Sequence, residues 1–375
     1  MTNDSSPDTP LPLDAVVLAA GEGSRMRSSR PKPIHRLCGR PMLQYVVDSL
    51  AHASVGRVVI VIGHRGDWVA KTMRELVDDV ELSFVEQVEQ RGTGDAASVG
   101  LVGLPDDALP GAAEDSDVLV LPGDTPLLRP ETIAALVAHH RATGAAATLL
   151  SARMDDPTGY GRVLRGPDGR VVRIVEHKDA TPEERAVDEV NTSIYCFRRS
   201  LLAPALRRVT PDNAQGEYYL TDVVEVFNST GHRVEAVVAD DADETHGVND
   251  RLQLAAAEAV LRRRTNDALQ RNGVTMVDPD AVYVDTTVTV GRDVTLFPGT
   301  ILQGATTVGD ECEVGPDTRL VDCTVGAGSR IERTTGRNAT VGERSTVGPY
   351  AVLEEGAEVP SDTSTGPFYT AHSDL

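Results

Sequence analysis

The chain has 375 residues, 40% of them hydrophobic, and a formal net charge of −21, which argues against a general nucleic-acid binder and suits a globular protein of about two domains. No apolar run approaches the ~20 residues that a membrane helix needs, so no membrane partner is expected. Cys38, Cys196, Cys312 and Cys323 are scattered without a Cys-x-x-Cys pair, so they read as reduced, packing thiols of a cytoplasmic protein.

Residues 1–13 are polar and Pro-rich and lack the basic and apolar regions of a signal peptide, so a disordered tail is expected. Over 14–250, short β-type runs alternate with helical patterns. Ala15–Leu18, Arg57–Ile62, Leu82–Glu86 and Val118–Leu121 read as buried strands. Met42–Ala51, Asp67–Val77 and Thr132–Thr143 read as amphipathic helices between them. This alternation predicts an α/β domain, a mostly parallel sheet with helices on both faces and ligands at the carboxyl ends of its strands.

The first strand runs into Ala19-Ala20-Gly21-Glu22-Gly23-Ser24-Arg25, and then into Pro31-Lys32-Pro33. Between Gly23 and Val47 there is no Asp or Glu, while Arg25, Arg27, Arg30, Lys32, Arg36 and Arg40 crowd the window. A cationic island in an anionic chain, with glycines that let backbone N–H groups come close, suits a nucleoside triphosphate. Asp124 ends a hydrophobic strand, where a carboxylate suits Mg²⁺, which takes few protein oxygens and leaves the rest to phosphates and water. A helix cap before Pro126 is the alternative for Asp124.

Residues 251–271 carry no Gly or Pro and predict a connector helix. Then Val284, Val290, Leu296, Leu302, Val308, Val314 and Leu320 recur every six residues, and the rhythm returns at Val341, Val347, Leu353 and Val359. That period is the signature of a hexapeptide-repeat parallel β-helix, expected over 272–360 in about four coils. The phase break predicts an irregular turn near Arg333–Asn338. Residues 361–375 are polar and read as a disordered tail.

The glycine-rich motif with Pro31-Lys32 resembles the signature of sugar-1-phosphate nucleotidylyltransferases. Cytidylyltransferases of isoprenoid and molybdenum-cofactor pathways share that motif. Further segments narrow the resemblance: Glu86-Gln87 to Gln90-Arg91-Gly92-Thr93, Gly123-Asp124, Pro157 to Arg162, Val175-Glu176 to Ala180, Glu189-Val190-Asn191-Thr192, Asn213 to Asp222, and Gly247-Val248-Asn249. Together they resemble the uridylyltransferase half of the bifunctional family that also acetylates glucosamine-1-phosphate. The resemblance implies a Rossmann-like nucleotidyltransferase domain followed by a short left-handed parallel β-helix. It also implies UTP and N-acetylglucosamine-1-phosphate as substrates, Mg²⁺ as cofactor and a homotrimer formed through the β-helix. Another sugar phosphate or nucleotide, such as glucose-1-phosphate with dTTP, and a non-catalytic regulatory homologue are the competing readings.

Residue by residue, the resemblance gives Arg25 and Lys32 the phosphate charge, and Asp124 and Asn249 the metal. Asn249 has the alternative of capping the connector helix. Leu18, Ala19, Ala20, Gly21, Gly23, Gln87, Gly92 and Thr93 take the nucleotide. Gly161, Glu176, Asn191, Tyr219 and Thr221 take the amino sugar. Ser24 stands where Thr is usual, Pro122 where some members carry an aromatic, and Asp95 at a position often His. After Asp250 the chain has no lysine, and its only histidine is His372. Val352 and Glu354 stand where the acetyltransferase would carry arginines. The chain ends before the coils that would supply the remaining acetyltransferase residues, so the solenoid is expected to act as an oligomerisation stalk without acetylating.

Overall fold

The computed structural model describes residues 13–105 and 116–371; the expected tail at the N-terminus, apart from Leu13, and His372 lie outside the described residues. The chain divides into two compact units, residues 1–35 with 42–253, and 36–41 with 254–375.

In the first unit the strands are β1 (Leu13–Ala19), β4 (Arg57–Ile62), β5 (Glu81–Glu86), β6 (Asp117–Pro122), β7 (Ala147–Arg153), β8 (Arg162–Arg165), β9 (Val171–Val175), β10 (Glu189–Arg198) and β11 (Val234–Val238); β2 (Arg36–Leu37) and β3 (Arg40–Pro41) form a separate hairpin that belongs to the second unit. The sheet runs β11-β7-β10-β6-β1-β4-β5, with β8 and β9 attached through β10. Pairings around β1 and β4 and between β11 and β7 are parallel, whereas β10 lies antiparallel to both β6 and β7.

The helices are α1 (Met42–His52), α2 (Gly66–Leu76), α3 (Thr93–Val102), α4 (Pro130–Thr143), α5 (Pro182–Arg185), α6 (Arg199–Leu206), α7 (Val223–Ser229) and α8 (Arg251–Arg271). Strand periodicity sorts the core into two faces. Val16, Val59, Val61, Val118 and Val120 pack with residues of α3, α6 and α7. Their neighbours Ala15, Val17, Val58, Ile60, Leu119 and Leu121 pack with α1, α2 and α4. Helix α3 lies so close to the sheet that a Cβ on Gly100 would stand 2.2 Å from Val16 Cγ1. That fit fixes where the start of α3 sits above the strand ends.

The second unit is the hexapeptide-repeat β-helix, with three parallel sheets of five, six and five strands. Its interior is the aliphatic column from Val284 to Val359, every member at most a few per cent exposed apart from Val290. Buried hydroxyls bond across coils: Thr300 Oγ1 donates to Val314 O at 3.0 Å, Ser329 Oγ to Gly342 O at 2.8 Å and Ser345 Oγ to Pro360 O at 2.8 Å.

Three expectations need correction. The solenoid has five rungs rather than about four, because the phase break is no irregular turn. The ladder continues through Val325, Ile331 and Gly336 to Val341, each pairing in register with its neighbours above and below. Some steps shorten from six residues to five, and the inward position at Gly336 has no side chain; Cys323 Sγ and Leu320 Cδ2 close on that spot. Second, the segment after 360 is not a disordered tail as far as Ala371. Thr370–Ala371 pairs with Val352–Leu353, and Thr363 O accepts from Thr346 N at 2.8 Å.

Third, residues 36–41 leave the 14–250 domain and group with the solenoid. Cys38 O accepts from Thr286 N at 3.2 Å, and Gly39 (φ +86°) lies so close to Asp285 that a Cβ would meet its Oδ2 at 2.6 Å. All four cysteines are buried, and none is in a disulfide. Among the described residues, no helix is long and apolar enough to cross a membrane.

Candidate active site

The carboxyl ends of β1, β4, β5 and β6 are tied together by backbone bonds. Gly123 N donates to Leu18 O at 2.9 Å and Gln87 N to Ile62 O at 2.8 Å. Above them opens a cavity of about 340 Å³ lined by Leu18, Ala19, Ala20, Gly21, Lys32, Gln87, Gly92, Thr93 and Asp124. Of the eight nucleotide positions expected from the sequence, seven line this cavity. The eighth, Gly23, is not among the lining residues. At φ +62°, Gly23 starts the turn Ser24–Met26, and a Cβ there would stand 2.6 Å from Lys32 Cβ. Gly21 instead has no atom within 4 Å of its would-be Cβ.

Charge converges beside the cavity. Lys32, in the turn Lys32–Ile34, gives its ammonium to Asp124 Oδ2 and, at 2.8 Å, to Asn249 Oδ1. Arg25 donates to the same Asn249 Oδ1 at 3.0 Å. Asn249 comes within reach because Val248 N donates to Asp124 O at 2.8 Å, while Asn249 N is held by Gln253 Oε1 at 2.7 Å. Asp124 and Asn249 thus present an anionic and a neutral oxygen to one cation, here the ammonium. Among the described residues no three His, Cys, Asp or Glu side chains gather as a metal centre. A carboxylate plus one amide oxygen is instead the sparse donor set that suits Mg²⁺ with phosphate oxygens. Of the six cations in the basic window, Arg25 and Lys32 bond to Asn249 at this focus. Arg36 and Arg40 belong to the β2–β3 hairpin.

The segment that carries Tyr219 and Thr221 is stitched to the loop that carries Gly92 and Thr93. Tyr218 N donates to Arg91 O, Gly94 N to Tyr218 O (both 2.8 Å) and Leu220 N to Thr93 Oγ1 at 3.0 Å. Gly92 (φ +110°) allows this approach, since a Cβ would stand 2.6 Å from Tyr218 O. Thr221 donates to Glu176 Oε1 at 3.3 Å, and Asn191 N donates to Gly161 O at 2.9 Å. Burial raises the Glu176 carboxyl above its usual range, helped by Asp222, Asp179 and Glu217, against the Thr221 hydrogen bond. Tyr219 lines one cavity with Glu176, its hydroxyl donating to Asp179 Oδ2 at 3.5 Å.

Sequence reasoning gave no role to Gln90, Pro122, Gly123, Ser193 or Glu217, which also line the cavity. Gln90 lies inside a recognised motif, and its Nε2 donates to Ala20 O at 2.7 Å. Ser193 reaches the cavity through a bulge in β10, where register with β7 slips between Asn191 and Ile194. Its φ is +62°, and Asn191 Oδ1 accepts from its N–H at 3.1 Å. No residue type there announces a bulge.

A family profile described as "MobA-like NTP transferase domain" matches residues 15–226. The chain is 42% identical to the bifunctional protein GlmU of Caldanaerobacter subterraneus subsp. tengcongensis, across 94% of this chain and 79% of that protein. It is 45% identical to GlmU of Streptomyces coelicolor (96% and 73% covered) and 46% identical to GlmU of Mycolicibacterium vanbaalenii (94% and 71%). Similarity of this depth spans both units, and with a nucleotide-sized cavity at the strand ends it shows that the chain belongs to the GlmU family of sugar-1-phosphate nucleotidyltransferases.

Proposed function

We propose that the chain transfers a uridylyl group from UTP to N-acetylglucosamine-1-phosphate, giving UDP-N-acetylglucosamine and pyrophosphate. The observation that carries this reading is the meeting of Arg25, Lys32, Asp124 and Asn249 beside the cavity. A sugar-phosphate oxygen attacks the α-phosphorus in line, and the bond to the β-phosphate oxygen breaks. The nucleophile is already ionised, so catalysis is positioning and charge neutralisation.

Arg25 takes the charge of the leaving pyrophosphate. Lys32, a point charge on a flexible stem, turns from Asp124 to the α-phosphate and sugar-phosphate oxygens. Bound by Asp124 and Asn249, Mg²⁺ would supply the remaining neutralisation of triphosphate charge. Gln87, Gly92 and Thr93 address the base, and the Leu18–Gly21 backbone with Gly23 shapes the phosphate loop. Gly161, Glu176, Asn191, Tyr219 and Thr221 address the amino sugar.

The same reading makes the solenoid a trimerisation stalk of a cytoplasmic enzyme, one that does not acetylate. Acetyl transfer to an amine wants a general base and cations for the sugar phosphate. The described coils carry neither His nor Lys, and Val352 and Glu354 occupy the expected arginine positions. Acetyl-CoA consumption with glucosamine-1-phosphate would overturn that part.

The test of the main reading is pyrophosphate release with Mg²⁺, across UTP, dTTP, CTP and GTP against N-acetylglucosamine-1-phosphate and glucose-1-phosphate. Turnover confined to UTP with the N-acetyl sugar supports it. Turnover with another pair keeps the mechanism and overturns the substrate assignment. No turnover with any pair favours a non-catalytic homologue.

A further inference from the structure

Gln87 is 5% exposed and lines the nucleotide cavity, so whatever its amide offers there acts in a dry setting. Its Nε2 donates to Asp95 Oδ2 at 2.7 Å and to Gly92 O at 3.3 Å. Both partners are obligate acceptors: a carboxylate oxygen and a backbone carbonyl. The two Nε2 protons are therefore committed to the protein, and Oε1 is the atom left for a ligand. Asp95 sits in the first turn of α3, the helix held tightly against the sheet through Gly100. Its carboxylate is thus a fixed anchor.

We propose that Asp95 is a positioning residue for base selection. By holding the Gln87 amide in one orientation, it makes the cavity present an acceptor to the base. An imide N–H, as in uracil or thymine, satisfies that acceptor. Cytosine presents a ring-nitrogen lone pair at the same edge and leaves two acceptors facing each other. Burial makes such a mismatch costly. This deepens the uridylyltransferase reading and rests on it.

The test compares kcat/KM for UTP and CTP, and binding of UMP and CMP by calorimetry, in wild type, Asp95→Ala and Asp95→Asn. Removing the anchor in Asp95→Ala frees the amide to turn. The expected result is a loss of about tenfold in UTP-over-CTP preference, the discrimination of one hydrogen bond. It comes through KM for UTP, with kcat at saturation and KM for the sugar phosphate held. Asp95→Asn retains an acceptor for Nε2 and is expected to keep the preference, which a merely structural role in α3 would not require.

A wild type that prefers UTP, with Asp95→Ala equally selective in both assays, overturns this inference alone. A wild type without preference for UTP over CTP, or without turnover, overturns it together with the function on which it rests.

Discussion

Gly23→Ala tests whether Lys32 must stand where it does. Gly23 has φ +62°, and an added Cβ would lie 2.6 Å from Lys32 Cβ. Left-handed backbone costs an alanine about 1 kcal/mol. Two carbons need ~3.6 Å, so the turn carrying Lys32 must move by about 1 Å. Lys32 meets Asp124 and Asn249 through its ammonium, and a displacement of about 1 Å in a positioning group costs on the order of 100-fold in rate. Steady-state pyrophosphate release is therefore expected to show kcat down by about 100-fold, while the thermal midpoint falls only by about 3 °C. The control is Gly21→Ala, whose Cβ would meet no protein atom within 4 Å. It is expected to leave the midpoint unchanged and raise KM for UTP, because the methyl enters the ligand's volume. If Gly23→Ala keeps kcat within about twofold of wild type, Lys32 does not act through the position described.

Three further outcomes follow from the packing. Arg165 donates to both oxygens of Glu189, at 2.8 and 2.6 Å, and Glu189 is 3% exposed, so Arg165→Met is expected to cost about 3 kcal/mol in urea denaturation. Burial, then repulsion from Glu225 and Asp179, pushes the Asp222 carboxyl up to about 6. The native state therefore binds this proton more tightly than the unfolded chain does. Its stabilising contribution is full below the ordinary aspartate range and is lost as pH rises towards about 6. Asp222→Asn should accordingly raise the melting temperature at pH above that window relative to wild type, and the difference should shrink as pH falls. In the solenoid, a Cβ on Gly336 would stand 3.0 Å from Leu320 Cδ2 and 3.3 Å from Cys323 Sγ. Gly336→Val is expected to destabilise the solenoid by about 2 kcal/mol in chemical denaturation, despite restoring the aliphatic repeat.

Much of the site was legible because its chemistry is written locally. The loop around Gly21 and Gly23 follows a hydrophobic strand, and Asp124 closes another, so both carry their place in the sheet with them. The strand runs at Val58–Ile62 and Val118–Leu121 are apolar on successive residues, as strands buried on both faces must be. Other features depend on contacts between distant residues. The bulge that brings Ser193 to the cavity exists only through the slipped register of β10 against β7. The hairpin around Gly39 joins the solenoid through Thr286 and Asp285, far along the chain. The five-residue steps on either side of Gly336 hide because that inward position carries no side chain to mark the rhythm. Gln90 was overlooked because its bond to Ala20 O spans separate loops. The basic window also overstated its own unity, since charge spacing cannot tell that Arg36 and Arg40 group with the solenoid in the hairpin.

The most direct test of the central claim is the rate of UDP-N-acetylglucosamine formation from UTP and N-acetylglucosamine-1-phosphate, titrated with Mg²⁺, in wild type and Asp124→Asn. The expected result is saturable Mg²⁺ dependence in wild type and a kcat lower by about 10³-fold in Asp124→Asn, since the carboxylate is the proposed anionic metal ligand as well as the partner that holds Lys32. Wild-type turnover that ignores Mg²⁺, or Asp124→Asn turning over at the wild-type rate, would contradict it.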